Sequence, residues 1–282
     1  MAIRKSSLDV RMLKILHGSD FHFGKPHLPE MALAFIQMLD QLDPDVVVLS
    51  GDFTQRARVE EYKQVKDFLG SFRGTPVIVT PGNHDIPLYR INQRILNPFK
   101  NYREYISRDL DEVTRIDGAV FVALNSADPY RSIINGRINE EQLDFAATAF
   151  GEALPGDIKV LVTHHPLVHS PDEGKHAVLP ESKFLLESFS RMGVELVLSG
   201  HVHRAFTRQV RTDVDGQEAD NEMLMIHSGT TASNRGRVHE KEQNTLNVME
   251  IDSIECKVNT YWYEEKKSVF LARQTSVFQI GT

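Results

Sequence analysis

Pro76-Val77-Ile78-Val79-Thr80-Pro81-Gly82-Asn83-His84-Asp85 is the stretch on which the fold turns. A short β-branched apolar run stops at a glycine followed by an amide, an imidazole and a carboxylate, the pattern of a buried strand that ends in polar chemistry. The same pattern recurs on both sides. Upstream, Leu13-Lys14-Ile15-Leu16 stops at His17-Gly18-Ser19-Asp20-Phe21-His22, and Asp45-Val46-Val47-Val48-Leu49 stops at Ser50-Gly51-Asp52. Downstream, Val160-Leu161-Val162-Thr163 ends at His164-His165-Pro166, and Glu195-Leu196-Val197-Leu198 ends at Ser199-Gly200-His201-Val202-His203.

Helical patterns separate these strands. Phe35, Met38, Leu39 and Leu42 recur at helical spacing between Glu30 and Leu42, where Asp43-Pro44 breaks the pattern. Val59, Tyr62, Val65, Phe68, Leu69 and Phe72 share one face of a helix that ends near Gly74. Asp20, Asp52 and Asn83 are therefore 32 and 31 residues apart (52 − 20 and 83 − 52). A parallel βαβ unit takes about 30 residues, so the three belong at the same end of consecutive strands. That end is where open parallel sheets bind ligands. Further helices are expected over Asn139 to Phe150 and Glu181 to Met192, and a strand over Ala119 to Leu124. The segment from Ile86 to Asp117, interrupted by Pro87 and Pro98, has the character of a small helical cap inserted over the site. From Met223 onward, alternating segments predict antiparallel strands.

Composition bounds the rest. At 282 residues, with 41% hydrophobic and 25% charged side chains, the chain matches one elaborated soluble domain spanning 1–282. A formal charge of -7 offers no general attraction to nucleic acid. The single Cys256 has no partner for an internal disulfide and is expected as a packed core residue, so the metal ligands, if any, are oxygen and nitrogen. The first residues run into polar sequence and no apolar run reaches the ~20 residues of a membrane span, so a cytoplasmic location without a membrane partner is expected.

Asp20, His22, Asp52, Asn83, His164, His201 and His203 are too many ligands for one tetrahedral ion and suit two cations that share a carboxylate. Asp20-Phe21-His22 and His201-Val202-His203 each skip one residue, so in extended chain both ligands of a pair point the same way. Gly51, Gly82 and Gly200 suit close passage of the backbone beside a ligand. A lone Asp-x-His or His-x-His is more often a surface or core pair; the ordered set at five strand ends is what points to a site.

That ordered set resembles the calcineurin-like metallophosphoesterases over about Leu13 to His203. The resemblance implies an α/β fold of two mixed β-sheets packed as a sandwich and flanked by helices, with the segments from about 223 to 282 completing the second sheet. It also implies that Asp20, His22, Asp52 and His203 hold one metal, and that Asp52, Asn83, His164 and His201 hold the other. The ions would be iron, manganese, zinc or cobalt, divalent or mixed-valence. His84 is then free for catalysis, stabilising the transferring phosphoryl group or protonating the departing alkoxide after attack by a metal-bridging hydroxide, and Asp85 orients its imidazole.

The sequence departs from two branches of that family. Gly51-Asp52-Phe53-Thr54-Gln55-Arg56-Ala57 lacks the second aspartate of Ser/Thr protein phosphatases, and Gln55 stands where purple acid phosphatases place a tyrosine ligand. Gly51-Asp52-Phe53-Thr54 with Glu60-Glu61-Tyr62, and Gly136-Arg137-Ile138-Asn139 with Glu140-Glu141-Gln142-Leu143, are similar to bacterial class III cyclic-nucleotide phosphodiesterases and their glycerophosphodiesterase relatives. A small phosphodiester is the expected substrate. A phosphomonoesterase or a nuclease with the same site, and a catalytically silent metal-binding scaffold, are the alternatives. Arg235 and Arg237, in a glycine-containing loop after Ser228-Gly229-Thr230-Thr231, could contact a substrate phosphate, although an arginine in such a loop is more often solvated.

Overall fold

The computed structural model describes residues 12–116, 118–131, 134–171, 178–214, 217–236, 240–252 and 254–280; Arg237, His176 and His239 lie outside the described residues. Among the described residues, twelve strands and six α-helices follow one another as β1 (Leu13–Gly18), α1 (Pro29–Leu42), β2 (Val46–Leu49), α2 (Val59–Gly70), β3 (Val77–Val79), α3 (Ile91–Leu96), α4 (Lys100–Tyr105), β4 (Glu112–Ile116), β5 (Ala119–Ala123), α5 (Glu140–Gly151), β6 (Ile158–Val162), α6 (Ser182–Arg191), β7 (Leu196–Ser199), β8 (Phe206–Val214), β9 (Gln217–His227), β10 (Thr245–Ile251), β11 (Glu255–Glu264) and β12 (Val269–Gln279).

These strands form two six-stranded mixed sheets, ordered β12-β11-β10-β1-β2-β3 and β4-β5-β6-β7-β9-β8. Strand alternation sorts the side chains into layers. In β2, Val46 and Val48 face the core between the sheets, where they meet Phe121, Val160, Val162, Leu196, Leu198 and Ile226 of the second sheet. Val47 and Leu49 face the other way, onto Phe35, Met38 and Leu39 of α1 and Tyr62, Val65 and Phe68 of α2. On the far side, Val120, Leu161 and Val197 bury Leu143 and Phe150 of α5 and Leu185 and Phe189 of α6. Strands buried on both faces must be apolar throughout, which is why β2 and β5 read as unbroken apolar runs. Cys256 lies buried in the inter-sheet core as expected.

Two expectations are corrected. Of the C-terminal strands, only β9 joins the second sheet; β10, β11 and β12 extend the first. β1 pairs with β2 on one side and takes β10 antiparallel on the other, with Leu13 opposite Ile251 and Ile15 opposite Met249. All four of those side chains enter the inter-sheet core, so the register is fixed by shared burial. The inserted segment is also shorter than Ile86 to Asp117, because Glu112–Ile116 forms the edge strand β4 against β5. Its half-buried, charge-bearing sequence is typical of a strand at a sheet edge and carries little apolar signal.

Candidate metal centre

β1, β2 and β3 run parallel in the first sheet, as do β5, β6, β7 and β9 in the second, so their C-terminal ends open on one side of the sandwich. The loops that follow are stitched together across the two sheets. Asp20 donates its N–H to Gly51 O (3.1 Å) and His22 its N–H to Asp52 O (3.0 Å). His164, from the second sheet, donates Nδ1–H to Ser50 O at 2.7 Å. His201 donates its N–H to Asp20 Oδ2 at 3.0 Å.

The paired ligands do not converge through extended chain. Asp20 and His22 have φ of 58° and 46°, and His201 and His203 have φ of 72° and 56°, with Asp52 at 54°. Left-handed backbone at a non-glycine residue costs about 1–3 kcal/mol and persists where surrounding contacts over-determine it. Here the inter-loop hydrogen bonds do so. Close approach also dictates the glycine at 82, where an added Cβ would stand 2.2 Å from Asp52 Oδ1.

Asp20, His22, Asp52 and His203 are all buried and bring one potential ligand atom each within 4.8 Å of one another. Asp20 Oδ2 is held by the Ser19 hydroxyl (2.6 Å), whereas Oδ1 receives no hydrogen bond and faces His203 Nε2 at 3.0 Å and His22 Nε2 at 3.5 Å. His203 donates Nδ1–H to Arg235 O at 2.8 Å, which turns Nε2 towards the carboxylate. Burial pushes the His22 pKa down to about 3, so that ring is neutral. A buried carboxylate oxygen that receives no hydrogen bond, beside ring nitrogens that could serve as ligands, is costly unless a cation joins them.

A second cluster lies on the other side of Asp52. His164 Nε2 lies 3.2 Å from Asn83 Oδ1, 3.3 Å from His201 Nδ1 and 3.4 Å from Asp52 Oδ1, and Asn83 Oδ1 is 3.0 Å from His201 Nδ1. Burial opposes charge on His164, yet the adjacent Asp52 carboxylate overrides it and raises the pKa to about 9. The site is short of positive charge, which a metal would supply. Asp52 turns Oδ1 to His164 and Oδ2 to His22 (3.6 Å), so one carboxylate serves both clusters. All seven sequence-predicted ligands thus meet in one place, and they fit a metal by the chemistry of their donor atoms.

His84 sits beside them, its ring centroid 4.8 Å from that of His22. Its N–H goes to Asp52 Oδ1 at 2.8 Å and its Nδ1 lies 3.0 Å from Gln55 O. A carbonyl only accepts, so Nδ1 carries the proton and Nε2 takes an N–H from Arg235 Nη1 at 3.0 Å. Arg235 also donates to Gln55 Oε1 at 3.1 Å. From sequence alone this arginine has two readings, phosphate contact and simple solvation, and its bond to His84 is not among them. The signal that could have found it is its place in the loop after β9, at the same end of the same sheet.

Asp85 is the second correction at the site. It does not touch the His84 ring. Its Oδ1 accepts the Thr54 N–H and hydroxyl at 2.8 and 3.0 Å, and its Oδ2 accepts the N–H groups of Gly82 and Phe53 at 2.9 and 3.2 Å. The carboxylate ties the loop after β3 to the loop after β2, and the imidazole is oriented by Gln55 O and Arg235 instead. His165 pairs with Ser126 Oγ at 2.9 Å, and His227 stacks on Phe206 and bonds Ser199 Oγ; neither belongs to the ligand set.

Carboxylate, amide and imidazole ligands on the strand ends of a helix-flanked double sheet define a class, that of the metal-dependent phosphoesterase scaffold. The calcineurin-like phosphoesterase family model matches residues 13–205, and the chain belongs to that family. It is 34% identical over 179 residues to a probable cyclic nucleotide phosphodiesterase of Synechococcus sp., a match that covers 62% of this chain and 64% of that protein. It is 26% identical over 185 residues to a 3',5'-cyclic-nucleotide phosphodiesterase of Nostoc sp., covering 64% of each. The chain thus matches just under two thirds of the length of these relatives. Among solved structures, a purple acid phosphatase from yellow lupin superposes on 96% of this chain and 54% of its own with a TM-score of 0.72 at 12% identity, a likeness of fold alone. Among the described residues, no helix is long and apolar enough to cross a membrane.

Proposed function

We propose that the protein is a dinuclear metal-dependent phosphodiesterase acting on a small phosphodiester, of which a cyclic nucleotide or a glycerophosphodiester is the model. The observation that carries this reading is the Asp52 carboxylate, one oxygen towards His164 and the other towards His22, flanked by two buried clusters of potential ligand atoms. Asp20, His22 and His203 would complete the first site, and Asn83, His164 and His201 the second. When bound, two divalent cations supply water activation near neutral pH and offset charge developing on the phosphoryl oxygens.

The remaining work falls to His84 and Arg235. In the present arrangement Nε2 of His84 is an acceptor already taken by the guanidinium, so it holds no proton for a leaving group. A phosphoryl oxygen that draws Arg235 to itself releases Nε2, which can then take up a proton and pass it to the departing alkoxide. The two groups exchange partners as substrate binds: Arg235 holds the phosphoryl oxygen and His84 moves the proton. Hydrolysis is balanced by one water, whose oxygen ends on phosphorus and one of whose protons ends on the leaving oxygen. Gln55 anchors both groups, its carbonyl fixing the imidazole and its side chain the guanidinium.

The test is turnover of bis(4-nitrophenyl) phosphate and 4-nitrophenyl phosphate by manganese-loaded enzyme, with His84→Ala and Arg235→Gln alongside. The diester should be preferred, and each variant should lose about a hundredfold or more in kcat while keeping its metal. Preference for the monoester, or full activity in both variants, overturns the reading.

A further inference from the structure

Next to the metal centre lies a cleft of about 470 Å³, lined by Lys25, Gln55, Arg56, Arg58, Glu61 and Asn234 among others. Its volume is in the range of small-ligand pockets. The cleft and the centre share their framework. Gln55 lines the cleft while its carbonyl fixes His84 and its side chain meets Arg235. Asn234 precedes Arg235 in the chain and donates its N–H to Pro26 O at 3.0 Å. A substrate whose phosphorus stands between the metals and Arg235 has this cleft at its side.

The cleft is cationic in an acidic protein of formal charge -7. Among the described residues, none of Lys25, Arg56 and Arg58 has a carboxylate within ion-pair distance. The one carboxylate in the lining is already engaged, since Glu61 Oε2 accepts the backbone N–H groups of Arg56 (2.8 Å) and Arg58 (3.1 Å). Arg56 lies over the ring of Tyr89, 5.1 Å from its centroid, which keeps its guanidinium at the rim. Like charges gathered at one rim repel each other and gain from an anion shared between them.

We infer that this cleft binds a second anionic group of the substrate, a phosphate on one arm of the diester. The inference rests on the phosphodiesterase reading and narrows its substrate class. A diester with uncharged arms, or a cyclic nucleotide with its single charge, leaves the three cations of the lining with the Glu61 carboxylate as their one counter-charge. A diester with a phosphorylated arm supplies another.

A matched pair of chromogenic esters tests this: thymidine 5′-(4-nitrophenyl phosphate) and the same compound carrying a 3′-phosphate, each hydrolysed by manganese-loaded enzyme. Release of nitrophenol reports only cleavage of the diester. The 3′-phosphorylated ester should be favoured in kcat/KM by about tenfold at low salt, with the ratio shrinking as ionic strength rises. The double variant Lys25→Gln with Arg58→Gln, at two exposed positions, should bring the ratio towards one; using a ratio removes any general effect on turnover. A ratio near one in the unmodified enzyme, or a preference that neither salt nor the double variant diminishes, overturns the inference while leaving the phosphodiesterase reading intact. Failure to cleave either ester or bis(4-nitrophenyl) phosphate overturns both.

Discussion

Asp85→Asn separates structure from chemistry at the carboxylate that sequence reading assigned to catalysis. Each carboxylate oxygen accepts two donors, Thr54 N–H and hydroxyl on one side, Gly82 and Phe53 N–H on the other. A carboxamide has a single acceptor oxygen, so in either orientation its NH2 faces two donors in a buried site. Losing two bonds to a charged acceptor, at about 1.5–3 kcal/mol each, sets a cost of roughly 3–6 kcal/mol. Burial together with the charge on Asp52 raises the Asp85 pKa to about 7, so removing its charge returns part of that cost. A net loss of about 2–4 kcal/mol at pH 8 is expected, which in a chain of 282 residues lowers the melting temperature by roughly 4–10 °C. Thermal melting of the metal-loaded protein measures this, and turnover of bis(4-nitrophenyl) phosphate well below both transitions measures the chemistry. The variant should melt lower yet lose less activity than His84→Ala. An unchanged melting temperature with activity as low as that of His84→Ala would refute the reasoning and return Asp85 to the reaction.

Metal content per chain, read by elemental analysis after manganese loading, should divide by cluster. His203→Ala and His201→Ala should each retain about one ion, and Asp52→Asn, which changes the shared carboxylate, should hold less than one; full loading of Asp52→Asn would end the two-cluster reading. Glu240 provides a pH signature away from the ligands. Burial outweighs its hydrogen bonds from Ala205 N–H (2.7 Å) and the Thr245 hydroxyl (3.0 Å) and pushes its pKa up to about 7 from 4.5. A folded-state value above the unfolded one means stability that is present below about pH 4.5 and lost as pH rises through about 7. Glu240→Gln, which keeps an acceptor for the Ala205 N–H, should therefore melt close to the unmodified protein at pH 5 and above it at pH 8. The gap should be on the order of 3 kcal/mol at most, and a gap independent of pH would contradict the assignment.

The chain's local signals were sufficient for much of this. β2 and β5 are legible because a strand covered on both faces needs an unbroken apolar run, and α2 because Tyr62, Val65 and Phe68 must share the face that packs on the first sheet. The ligands were legible for a related reason: each stands where an apolar run stops, and that position in a parallel sheet is a shared end. What was misread has the opposite character. The edge strand β4 is half-exposed and charged, so it carries little periodic signal. β10 and β11 alternate well enough to be recognised as strands, but nothing in their own sequence says which sheet they join, since that is settled by the open side of β1 and by the shared burial of Leu13 and Ile15 with Ile251 and Met249.

By itself, then, the sequence determined the strand ends and the seven candidate ligands that stand there, because burial and chain geometry act on neighbouring residues, while the double-sheet class came with the family resemblance those ends carry. Only the tertiary structure decided how the ligand pairs converge, through left-handed backbone at Asp20, His22, Asp52, His201 and His203 that inter-loop hydrogen bonds hold in place. It alone moved Asp85 from the reaction to the scaffold and brought Arg235 to His84, a pair separated by 151 residues. Partners so distant in sequence leave no local periodicity, and their meeting is fixed only when the two sheets pack.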